Sequence, residues 1–68
     1  MTVETQIQLT EREKEVARLI TLDLTYQEIA DQLSISIDTV YFHIGNMLVK
    51  LNARSRVGIA VWYIKAAA

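Results

Sequence analysis

The side chains able to do chemistry are few in this sequence, and their spacing limits what they can do. Glu11, Glu13 and Glu15 form its densest carboxylate cluster. Paired carboxylates can divide acid and base roles. Here, however, they crowd the start of a helical pattern, where the positive end of the helix dipole favours acids. Capping and solvation explain them. His43 is the single histidine, and the chain has no cysteine. Lacking an Asp or Cys partner at ligand spacing, His43 reads as a phosphate donor or as a residue at the edge of a helix core, not as a metal ligand. The two glycines, Gly45 and Gly58, lie far apart, so there is no glycine-rich phosphate loop. No nucleophile–base pair is present either. An enzyme is set aside on these grounds, and no cofactor is expected. What remains is basic and aromatic: Lys50, Arg54 and Arg56, with Tyr26, Tyr41, Phe42, Trp62 and Tyr63.

These residues must be carried by a small frame. The chain has 68 residues, 51% of them hydrophobic, with no proline. That is one domain, with room for a few helices around a shared core but none for an enclosed cleft. Residues 1–15 hold four glutamates and no apolar run, which is not a signal peptide. The longest stretch without a formal charge, Thr39–Val49, is too short to cross a bilayer. The expectation is a cytoplasmic protein with no membrane contact. The net charge of −1 conceals an asymmetry. Residues 1–24 carry −2, residues 25–48 carry −3 with no Lys or Arg, and residues 49–68 carry +4.

Four helices are legible, at about 10–22, 25–33, 36–51 and 55–66, giving an all-α fold with a domain over 9–66 behind a tail of residues 1–8. Thr10 with Glu13, and Thr25 with Glu28, have capping-box spacing. Ser36 and Ser55 read as further caps. Asp23 and Asn52 fit the left-handed position that ends a helix. The first helix has Val16, Leu19 and Ile20 on its inner face, and the second Tyr26, Ile29, Ala30 and Leu33. Along the third, a turn of about 100° per residue gathers Ile37, Val40, Ile44, Met47, Leu48 and Leu51 on one side. Phe42, Gly45, Asn46 and Val49 fall opposite, with Tyr41 on the border, so Phe42 is expected to be exposed. The fourth helix is apolar nearly all round. Val57, Ala60, Val61 and Ile64 are expected to face the core, leaving Ile59, Trp62, Tyr63 and Ala66 for a second subunit. Trp62 would anchor that interface, or complete the monomer core if the helix is rotated. The Ala66–Ala68 tail is expected to fray.

Two helices joined by a turn of three to four residues, the second one longer, form a helix-turn-helix pattern. In that register the sequence resembles the LuxR-type (GerE-like) DNA-binding domain of bacterial transcription regulators. The resemblance is carried by Leu9–Val16, Leu24-Thr25, Glu28-Ile29-Ala30, Leu33, Ile35-Ser36, Thr39-Val40, His43, Asn46, Lys50-Leu51 and Arg56. It runs without gaps from Leu9 to about Val61. It implies a compact four-helix domain that inserts its third helix into the major groove and dimerises through its fourth. Carried over residue by residue, Tyr41, Phe42 and Gly45 face base edges, with Asn46 nearby. Thr25, Tyr26, Gln27, Thr39 and Lys50 face phosphates, helped by the backbone N–H groups that open the second helix and, at Ser36, the third.

The sequence departs from the family pattern where Lys or Arg is usual, at Gln27, Tyr41 and Gly45. Because DNA affinity rests on neutralised phosphates, the expectation is weak, salt-sensitive binding to double-stranded DNA, aided by Arg54 and Arg56 and doubled by homodimerisation. Apolar contact with thymine methyl groups is one use for an exposed Phe42. The alternative is an interaction module that no longer binds DNA and heterodimerises with another LuxR-type regulator. Blander roles stand beside these: Arg54 and Arg56 as surface ion pairs, Tyr41 and Tyr63 as core-edge area.

Overall fold

The computed structural model describes residues 8–67. Apart from Gln8, the expected N-terminal tail lies outside the described residues, as does Ala68. Four helices follow in order: α1 (Glu11–Thr21), α2 (Tyr26–Leu33), α3 (Ile37–Lys50) and α4 (Arg56–Ala67).

The first three helices start at their expected caps. Glu13 N–H donates to Thr10 Oγ1 at 3.1 Å, and Thr10 N–H returns to Glu13 Oε1 at 2.9 Å. Thr25 and Glu28 repeat the exchange at 3.1 and 2.8 Å. Ser36 Oγ accepts from Thr39 N–H at 3.1 Å. Each box satisfies donors that a helix start leaves unpaired. The same three helices are followed by left-handed residues, Asp23 (φ 62°), Ser34 (φ 56°) and Asn52 (φ 51°). At Ser34 and Asn52 the following N–H closes back on the helix, Ile35 to Ala30 O at 3.0 Å and Ala53 to Leu48 O at 2.9 Å. That closure lets α2 and α3 stop within one residue and turn sharply.

The core draws one face from every helix: Val16, Ala17, Leu19 and Ile20 of α1, Ile29 and Ala30 of α2, Val40, Ile44 and Met47 of α3, and Ile59 of α4, with Leu9 beneath. Helix α1 touches the other three, and α2 pairs chiefly with α3. No described helix is long and apolar enough to cross a membrane.

The orientation of α4 corrects the sequence reading. Ile59 is fully buried, and Trp62 and Tyr63 are half-buried against the core. Val57, Val61 and Ile64 are 66%, 44% and 59% exposed. The expected core and interface faces are therefore exchanged, with Ala60 half-buried between them and Ala66 exposed. A helix that is apolar all round carries no polar stripe to mark its outer side. Its first turn sets the rotation instead. Arg56 is tied to the Leu24 carbonyl, and Gly58 lies so close to Ala53 that a Cβ there would sit 2.8 Å from the Ala53 Cβ. Nor does the alanine tail fray at once: Ala66 and Ala67 continue α4, as alanine's helix propensity favours.

Candidate nucleic-acid interface

Helices α2 and α3, joined through Ser34–Ser36, form the helix-turn-helix. The inward stripe of α3 holds it on the core and turns its other side outward. On that side Tyr41 is 54% exposed, Phe42 65% and Val49 82%. Gly45 is exposed, and a Cβ built on it meets nothing within 4 Å. Asn46 is half-buried beside this stripe. His43 is half-buried as well, its ring 5.8 Å from that of Phe42.

The polar side chains expected at phosphates are mostly engaged within the chain. Thr25 and Ser36 hydroxyls accept the capping N–H groups, and Thr39 Oγ1 lies 2.9 Å from Ser36 Oγ. Gln27 donates its amide to Asp31 at 3.0 Å. What α2 presents at its start is backbone: the Tyr26 and Gln27 N–H groups, ahead of the first intrahelical bond from Ile29 N–H to Thr25 O at 3.0 Å. The Glu28 carboxylate occupies that same helix end. Hydrogen bonds from the Thr25 N–H and hydroxyl region hold it below the ordinary glutamate pKa, so it stays charged.

The aromatic and basic residues form a connected stack. The Arg56 guanidinium lies 4.9 Å over the Tyr26 ring and donates to Leu24 O at 2.9 Å. Tyr26 meets Tyr41 edge to face, with centroids 5.1 Å apart. This places Arg56 as a brace between α2 and α4, a role that sequence alone did not signal. Arg54 is exposed and makes no ion pair among the described residues.

Lys50 is the only Lys or Arg on α2 and α3, and it is captured. Its Nζ donates to Glu13 Oε1 at 2.7 Å. The Glu13 side chain is 3% exposed, that of Lys50 38%. Burial raises the Glu13 pKa, but the hydrogen bond from Lys50, those from Thr10 and the nearby ammonium charge outweigh it and hold the carboxyl below its ordinary range. Glu13 thus serves α1 as a cap and α3 as a counter-ion. With Glu28, Asp31 and Asp38 all exposed, α2 and α3 together carry net negative charge, and the outward side of α3 is partly apolar.

Comparison with known proteins agrees with this architecture. Residues 7–63 match the family described as bacterial regulatory proteins, luxR family. A nitrate/nitrite response regulator homologue of Haemophilus influenzae is 47% identical over 57 residues, 84% of this chain and 27% of that protein. The nitrate/nitrite response regulator NarP of Escherichia coli is 44% identical over 57 residues, 84% of this chain and 26% of its own length. The spore germination protein GerE of Bacillus subtilis is 48% identical over 48 residues, 71% of this chain and 65% of its own. The chain therefore spans about a quarter of the two response regulators and about two thirds of GerE. With its four helices, its helix-turn-helix and this match over most of its length, the chain belongs to the LuxR family of bacterial regulatory proteins, a family of DNA-binding transcription regulators.

Proposed function

We propose that this chain regulates transcription in the cytoplasm by binding double-stranded DNA as a homodimer, with α3 in the major groove. The observation that carries the reading is the outward face of α3, left open by the packing of a helix-turn-helix whose family binds DNA. The exposed stripe of α4, Val57, Val61 and Ile64, offers the second apolar surface that a twofold partner would cover. Half-sites would then be about 10–10.5 base pairs apart. With Lys50 paired to Glu13, phosphate contact falls to Arg54, the Tyr26 and Gln27 N–H groups and the N-terminus of α3, which makes binding weak and strongly salt-dependent. Gel-shift titration against a random-sequence duplex pool at several salt concentrations tests this. Binding at low salt that fades as salt rises is expected. No retention of any duplex at the lowest salt refutes it.

A second reading is favoured by the acidic surface and the captured Lys50. Here the chain pairs through α4 with a full-length LuxR-family regulator and withholds it from DNA. Its signature is loss of that regulator's gel shift on adding the chain, restored by Val61→Arg in the chain. A regulator shift unaffected by the chain removes this alternative.

A further inference from the structure

We infer that α3 recognises thymine through its C5-methyl group, with Phe42 as the principal contact. This deepens the DNA-binding reading and rests on it. Phe42, Gly45 and Val49 stand at i, i+3 and i+7, so they share one face of the helix. Phe42 and Val49 are among the exposed large hydrophobic residues of the chain. None of the three side chains has a hydrogen-bond donor or acceptor. These three positions cannot read the donor–acceptor code of base edges, which on this side of α3 falls to Tyr41 and Asn46. Among the features displayed in the major groove, only the thymine methyl is apolar.

The shape of the stripe fits the same target. It is one helix wide and convex, and a helix of about 10–12 Å diameter matches a major groove about 12 Å wide. Gly45 sits between the two apolar side chains with open space above it. The backbone can therefore approach the groove floor there while Phe42 and Val49 reach down on either side. These two lie about 10 Å apart along the helix axis, more than the spacing of adjacent base pairs. The chain thus meets separate bases at its two apolar points. The Phe42 ring is steadied by the His43 ring at 5.8 Å, which limits the rotamer freedom lost on contact. Exposed Asp38, at i−4 from Phe42, and the net negative charge of α2 and α3 keep phosphate attraction small, and methyl burial adds discrimination that phosphate contacts do not carry.

The test uses one duplex recovered by selection from a random-sequence pool, synthesised with thymine and again with deoxyuridine, which keeps the pairing and lacks the methyl. Affinities of the full chain and of Phe42→Ala are measured for both. For the parent chain the thymine duplex should bind more tightly by about fourfold per contacted methyl. In Phe42→Ala, whose exposed site leaves the fold intact, that ratio should fall towards one. Equal binding of both duplexes by the parent chain overturns the inference and leaves DNA binding standing. A ratio unchanged in Phe42→Ala overturns the assignment to Phe42. Failure to recover any bound duplex overturns DNA binding itself, and the inference with it.

Discussion

Lys50 Nζ lies 2.7 Å from the buried Glu13 Oε1, joining the end of α3 to the start of α1 across 37 residues of sequence. A single carboxylate thereby fixes a helix start and neutralises the only Lys or Arg of the helix-turn-helix. Glu13→Gln should lower stability by about 1–2 kcal/mol through loss of a charge-assisted hydrogen bond. It should also tighten DNA binding, because Lys50 becomes available to a phosphate, and steepen the dependence on log salt by about one unit. Thermal melts and salt-titrated gel shifts check the two halves. Reduced stability with reduced affinity would show that the pair positions α3 instead of restraining it.

Acid should unfold the chain through the same carboxylates. Glu13 and Glu28 both titrate below the ordinary glutamate value of 4.5 when folded, so each binds its proton less readily in the native state than in the unfolded one. Their stabilisation is complete above that value and is lost as pH falls through the lower folded values. Urea midpoints measured from about pH 6 to about pH 3 should therefore decline mainly below the ordinary glutamate range. The decline should be shallower in Glu13→Gln. An equal decline would assign the acid sensitivity to other groups.

The two faces of α4 give opposite expectations. Val61→Arg alters an exposed position and should leave the melting transition within about 0.5 kcal/mol. On the proposed α4 interface, light scattering should nevertheless give a dimer for the parent and a monomer for this variant. Trp62→Arg places a charge against the core cluster and should destabilise the fold by about 3 kcal/mol. A Val61→Arg chain that still dimerises moves the interface elsewhere.

The helical glycines diverge for a steric reason. Gly45→Ala adds a methyl to open space and should stabilise α3 by about 0.5–1 kcal/mol. Gly58→Ala drives its Cβ to 2.8 Å from the Ala53 Cβ, part of a short rigid side chain, and should cost about 1–3 kcal/mol. Chemical denaturation of both variants decides it. Stabilisation by both would mean that the α3–α4 connection yields easily.

Local signals made the helices legible and left their partners obscure. Thr10, Thr25, Ser36, Asp23 and Asn52 act on neighbours within a few residues, so spacing exposed them. The outward side of α3 was legible because six apolar residues define the opposite side. Helix α4 had no such contrast, and its rotation depends on Arg56 reaching Leu24 and on Gly58 meeting Ala53. The engagement of Lys50 was hidden as well, since a long flexible side chain does not declare a partner 37 positions away. The basic residues of the last third were thus readable as charge, though not as contacts.

The stack of Arg56, Tyr26 and Tyr41 has a mechanical consequence. It runs from the root of α4 through the start of α2 to the exposed side of α3. In a twofold assembly joined along α4, this stack would act as the stiff elbow of a pair of calipers. The gap between the two reading helices would follow from ring packing together with the Gly58–Ala53 approach that seats α4. Slackening that elbow would widen the range of half-site separations accepted, with every base contact left as it was.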